Sequence, residues 1–95
     1  MMVIHVEFTG AAQMVTNQKS VDLEIPSTTT YKEIVQILGK KYPSLIGILI
    51  DQDGETLLSS NMFIINGDMS LPAMIMEESP RDGDRLILMS LITGG

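Results

Sequence analysis

Arg81-Asp82-Gly83-Asp84-Arg85-Leu86-Ile87-Leu88-Met89-Ser90-Leu91-Ile92-Thr93-Gly94-Gly95 closes the 95-residue sequence, and its three parts predict three different structures. Ser79 to Asp84 concentrates proline, glycine, serine and aspartate, the chemistry of a turn. Arg85 to Ile92 is strongly apolar and reads as a last strand. Gly94 and Gly95 add nothing to a core and weaken any regular element they join. The expected organisation is a folded body over 1–90 and a flexible tail over 91–95, the tail reaching roughly 17 Å when extended.

Working back from that strand, Met62 to Ile65 reads as a strand halted by Asn66-Gly67-Asp68, and Met69 to Glu78 is a less regular stretch interrupted by Pro72. Leu45–Ile50 and Glu55–Leu58 flank Asp51-Gln52-Asp53-Gly54, whose Asp-Gly pair predicts a hairpin turn. Thr30 and Glu33 have capping-box spacing. A helix is expected from there to about Tyr42, with Ile34, Val35, Leu38 and Tyr42 forming its apolar stripe and Pro43 stopping it. Val21, Leu23 and Ile25 alternate with Ser20, Asp22 and Glu24, and Ile4 and Val6 alternate with His5 and Glu7, so both segments read as strands. Thr9 to Gln18 reads as the loop between them. One amphipathic helix on a sheet predicts a two-layer α+β fold.

The totals exclude several functions. The formal charge is −6 and the pI about 4.4, which argues against nucleic acid and anionic membranes as partners. No cysteine is present, so the chain offers no disulfide, thiolate metal site or thiol nucleophile. No basic, apolar leader opens the sequence, and a cytoplasmic location is expected.

Catalytic constellations are equally thin. His5 is the single histidine and has no companion for metal or acid–base work. Ser90 and Thr93 lack a base, and Asp82 and Asp84 belong to a turn signature. Placing Gly54 at the sixth position of a calcium loop would put Leu49 first and Ser60 twelfth, where carboxylates are required. No catalytic residue, metal ligand or bound cofactor is expected.

A carboxylate at Gly95 can nevertheless be a reacting group. With an α-carboxyl pKa of about 3.3 to 3.7 it is ionised at neutral pH and a poor electrophile. Joined to AMP from ATP it becomes a mixed anhydride open to a sulfur or amine nucleophile. A chain without Cβ atoms suits threading into a narrow nucleotide cleft. Strict alternation adds a second surface. If Leu86 and Leu88 face the core, then Ile87, Met89 and Leu91 form an apolar row on the other side, fitted for a partner unless Met69 to Met76 folds over it.

Phe63-Ile64-Ile65-Asn66-Gly67, then Asp82-Gly83-Asp84, then an apolar strand running into Gly94-Gly95, resembles the β-grasp (ubiquitin-like) sulfur carriers: MoaD, ThiS and the ubiquitin-related modifiers. The likeness covers essentially the whole chain and implies a mixed sheet of four to five strands with one main helix packed across it. It implies that a ubiquitin-activating-type enzyme, using ATP and Mg²⁺, adenylates Gly95, the residue after Gly94. A sulfurtransferase or persulfide donor then loads sulfur as a thiocarboxylate, for molybdopterin or tRNA thiolation. Ile87, Met89, Leu91, Ile92 and Thr93 would contact those partners, which could include a molybdopterin synthase large subunit or a tRNA-thiolating enzyme. MoaD proteins commonly carry Pro-Pro before the final segment, where this chain has Ser90-Leu91 and so stands nearer the ubiquitin-related modifiers. Conjugation through Gly95 to protein lysines is the alternative.

Overall fold

Alternation along Met2–Phe8 (β1) buries Met2, Ile4, Val6 and Phe8 while His5 stays exposed and Val3 and Glu7 half-buried, as a strand with one covered face requires. β1 is an interior strand of the sheet in a computed structural model that describes residues 1–54 and 61–90. After it come α1 (Gly10–Thr16), β2 (Ser20–Ile25), α2 (Tyr31–Lys41), a 3₁₀ turn (Pro43–Leu45), β3 (Asn61–Ile65), β4 (Asp68–Ser70), α3 (Pro72–Ile75) and β5 (Arg85–Ser90). The five strands form one mixed sheet in the order β2-β1-β5-β3-β4. β1 and β5 run parallel; the other neighbours are antiparallel. This is the β-grasp arrangement.

α2 covers one face of the sheet. Thr30 Oγ1 accepts from the Glu33 amide at 3.3 Å, and the Thr30 amide donates to Glu33 Oε1 at 3.0 Å, completing the expected capping box. Glu33 lies in the first turn and Lys40 and Lys41 in the last, complementing the helix dipole. Ile34, Val35 and Leu38 are buried with Phe63, Leu86, Leu88 and the inward residues of β1 and β2. Tyr31, which the sequence placed only beside the cap, is buried too, its ring 5.7 Å from that of Phe63. Phe8 and Tyr42 meet edge to face at 5.4 Å.

Three expectations are corrected. Thr9 to Gln18 is not a plain loop: Gly10–Thr16 forms α1, held by Ser44 Oγ donating to the Val15 carbonyl at 3.0 Å and by burial of Ala12 and Thr16. Leu45 to Ile50 is not a hairpin strand. The Leu45 carbonyl accepts from the amides of Ile48, Leu49 and Ile50, so the segment curls on itself and buries Leu45, Leu49 and Ile50 without joining the sheet. Glu55 to Leu58, the other half of that predicted hairpin, lies outside the described residues. Asn66-Gly67 does more than halt a strand. With φ of 51° and 92° it is the tight turn joining β3 to β4, where Ile65 faces Asp68, and a residue with positive φ at both central positions is the type I′ requirement.

No helix among the described residues is long and apolar enough to cross a membrane.

Candidate functional site: the open sheet face and the root of the tail

The face of the sheet away from α2 is divided by residue type. On the β2 and β1 side it carries Asp22, Glu24, His5 and Glu7, with His5 Nδ1 2.6 Å from Asp22 Oδ1. Arg85 Nε lies 2.8 Å from Glu7 Oε1 and closes the charged half. On the β5, β3 and β4 side the residues are apolar. Ile87 stands opposite Ile64, Met89 opposite Met62, and Ile64 in turn opposite Met69. Ile87, Met89, Met62 and Ile64 are half-buried, and Met69 is 57% exposed.

The predicted row is therefore present as far as it is described: Ile87 and Met89 project from the open face, while Leu86 and Leu88 are 1% exposed on the other. Leu91, Ile92, Thr93, Gly94 and Gly95 lie outside the described residues. The segment from Met69 to Met76 does not fold over the row. Its C-terminal part turns to the first turn of α2, where the Lys32 amide donates to the Met76 carbonyl and the Tyr31 amide to Glu78. Ile75 and Met76 pack on the core, and Leu71 and Met74 remain exposed. Met62, Ile64 and Met69 complete the apolar patch but escaped sequence reasoning, because the cross-strand register that brings them beside Ile87 and Met89 has no local signature.

At the start of β5, remote from the tail, Asp82 and Asp84 are occupied structurally. Asp82 Oδ1 accepts from the Val3 amide at 2.8 Å. Asp84 Oδ2 accepts from the Arg81 amide and Oδ1 from Asn66 Nδ2, both at 2.9 Å, while Asn66 Oδ1 accepts from the Arg85 amide at 2.9 Å. These bonds lock the β3–β4 hairpin to the first residue of β5, so the turn reading of the aspartate pair holds. The Tyr31 phenol, nearby, is pushed up to about 12, by burial first and by Asp84 and Glu78 in addition. Among the described residues no three His, Cys, Asp or Glu side chains are grouped to hold a metal ion.

At the other end β5 keeps only one of its two neighbours. Its parallel pairing with β1 stops at Phe8 and Leu88, whereas its antiparallel pairing with β3 continues to Asn61 and Ser90. Beyond the last backbone pair with β1, the Thr9 hydroxyl donates to the Leu88 carbonyl at 2.9 Å.

Solved structures share this architecture. A crystal structure of SAMP1 from Haloferax volcanii superposes with a TM-score of 0.81 at 19% identity, covering 98% of this chain and 99% of that one. The solution structure of Urm1 from Trypanosoma brucei has a TM-score of 0.74 at 29% identity, covering 98% and 95%. A chain of the BexX/CysO complex from Amycolatopsis orientalis has a TM-score of 0.72 at 20% identity, covering 97% and 99%. No curated protein sequence gives a significant match. The ThiS family model matches residues 6–95, everything but the first five residues and including the terminal glycines, so the chain belongs to the ThiS family.

Proposed function

We propose that this protein is a sulfur carrier, a substrate for other enzymes, whose Gly95 carboxylate is the reacting group. A carboxylate oxygen attacks the α-phosphorus of ATP on a ubiquitin-activating-type enzyme, and Mg²⁺-bound pyrophosphate leaves. The terminal sulfur of a persulfide, held by a sulfurtransferase or other donor, then attacks the acyl carbon and displaces AMP, and a thiol cleaves the resulting acyl disulfide, leaving the thiocarboxylate and a new disulfide. The body docks through the apolar half of its open face, with Ile87 and Met89 as contacts, while Leu91, Ile92, Thr93 and Gly94 thread the partner's cleft.

The observation that carries this reading is the apolar patch on the strand that leads directly to Gly94-Gly95. A half-exposed row of Ile and Met beside a glycine-ended tail separates recognition from chemistry. The destination of the sulfur, molybdopterin or a tRNA, belongs to the acceptor and not to this body. The test is intact mass after incubation with ATP, Mg²⁺, the cognate activating enzyme, a persulfide donor and a thiol reductant. A replacement of one carboxylate oxygen by sulfur is expected, and an unchanged mass with an activator that works on its other substrates refutes the reading.

A second reading, conjugation through Gly95 to lysines of other proteins, is supported by similarity to small archaeal modifier protein 1 of H. volcanii. It predicts branched Gly-Gly remnants in digests of cell protein.

A further inference from the structure

We propose that Met62, Met69 and Met89 form an oxidation-sensitive modification site: a peroxide converts their thioethers to sulfoxides and switches the docking face off, reversibly and without unfolding the body. The inference rests on the carrier reading and adds to it a control on the same face.

Sulfur is unevenly placed over the molecule. The chain has eight methionines and no cysteine, so thioethers are the only sulfur its side chains offer an oxidant. Met62 and Met89 are cross-strand partners on β3 and β5, and Met69 stands opposite Ile64, itself opposite Ile87. Three thioethers thus share the apolar half of the open face with two isoleucines. Met69 is 57% exposed and Met62 and Met89 are half-buried, so all three are open to an oxidant from solvent.

The core is insulated from the same reaction. Met2 is 2% exposed on the covered face of β1, and Met76 packs against the core. On β3 and β5 the side chains that face α2 are Phe63, Leu86 and Leu88, buried and without sulfur. Sulfoxides on the open face of these strands therefore leave the packing beneath them unchanged. Met14, 82% exposed on α1, and Met74, 75% exposed on α3, meet the same oxidant but lie on helices, outside the sheet face.

The chemistry requires hydrogen peroxide and nothing from the protein besides the thioether. A sulfur lone pair attacks one peroxide oxygen, and the O–O bond breaks as the S–O bond forms. Water leaves with the second oxygen and both protons; sulfur loses two electrons and peroxide gains them. The product is polar and chiral, where the thioether was apolar and flexible. A partner surface shaped for Ile and Met gives the new oxygen no donor, and burying a polar group without one is unfavourable. Methionine sulfoxide reductases, one for each epimer, return the thioether.

The experiment treats full-length protein with hydrogen peroxide, removes the excess with catalase, locates sulfoxides by peptide mass and measures affinity for the cognate activating enzyme by calorimetry. Wild type, the triple variant Met62→Leu, Met69→Leu, Met89→Leu and the double variant Met14→Leu, Met74→Leu are each compared with their own untreated sample. Wild type and the double variant are expected to lose roughly tenfold in affinity with an unchanged unfolding midpoint, and to regain it with the two reductases. The triple variant is expected to keep the affinity of its untreated sample. A time course on wild type reads the same point without any variant, the loss following sulfoxide at Met62, Met69 and Met89 and not at Met14 and Met74. Affinity unchanged by sulfoxides at the three positions, a triple variant that loses as much as wild type, a loss the reductases do not reverse, or unfolding on oxidation overturns the assignment alone. Untreated wild type that neither binds the activating enzyme nor is adenylated by it removes the carrier reading, and the assignment falls with it.

Discussion

Asn66→Ala is expected to destabilise the fold by about 3 kcal/mol, although its side chain is exposed. Two effects add. Asn66 donates to Asp84 Oδ1 and accepts from the Arg85 amide, each at 2.9 Å. Hydrogen bonds contribute roughly 0.5–1.5 kcal/mol apiece. The backbone at Asn66 has φ +51°, a left-handed geometry that is about 1–2 kcal/mol unfavourable for residues with a plain Cβ. Asn66→Gly separates the two, since glycine accepts the angle but forms neither bond. It is expected to cost about 2 kcal/mol, including glycine's greater freedom in the unfolded chain. Urea unfolding of all three proteins measures the order wild type, Gly, Ala, and a double-mutant cycle with Asp84→Ala should return a coupling of about 1 kcal/mol. Loss below about 0.5 kcal/mol for Asn66→Ala would falsify the clamp, and Gly below Ala in stability would remove the backbone part. The clamp matters to function because it joins the hairpin to the start of β5. A one-residue slip of β5 would turn Ile87 and Met89 inward and Leu86 and Leu88 out.

Met89→Asp places a carboxylate in the open-face patch. Binding to the activating enzyme is expected to weaken at least tenfold with unchanged thermal stability; equal affinity by calorimetry removes Met89 from the interface. Deleting Gly94-Gly95 should abolish adenylate formation yet shift the unfolding midpoint by under about 1 kcal/mol equivalent, since two glycines bury little, so a large loss of stability contradicts the division into body and tail. Alkaline unfolding reports on Tyr31. Its phenol titrates near 12 in the fold against 10 in the open chain, so at pH above 10 the unfolded state sheds a proton first and stability falls as pH rises towards 12. Tyr31→Phe should flatten that fall, and an undiminished slope in the variant places the titrating group elsewhere.

What was legible in the sequence was what is determined locally. The cap of α2 needs only Thr30 and Glu33 three residues apart, and its buried stripe needs only the helical period, so both were readable and both are present. The alternation of β1 and β2 was readable for the same reason. α1 was not, because a seven-residue helix with two buried side chains, Ala12 and Thr16, has too short an apolar stripe to announce itself. Its order comes from contacts such as Ser44 to Val15, 29 residues apart. Leu45 to Ile50 misled by composition. Its aliphatic richness reflects burial, and an apolar run of that length does not distinguish a strand from a compact turn. At the site, alternation exposed Ile87 and Met89, but their neighbours Met62, Ile64 and Met69 depend on register.

The composition of the open face bears on how such a carrier must work. Fully burying an Ile or Met side chain is worth roughly 1.5–3 kcal/mol, and Ile64, Met62, Ile87 and Met89 are already half-buried. Covering them together with Met69 thus yields on the order of 5 kcal/mol, at the lower end of the roughly 4–15 kcal/mol that association itself costs. The patch alone supports only a brief encounter. A tight complex requires the additional contacts a threaded tail makes inside a partner's cleft, and those end once the tail is withdrawn. That balance suits a molecule handed from an activating enzyme to an acceptor, because a larger apolar face would trap it on the first. The thioethers of Met62 and Met89 fit the same need: unbranched and polarisable, they adapt to partners of different shape. On this argument affinity for each partner should depend strongly on the tail and weakly on any one patch residue other than the central pair.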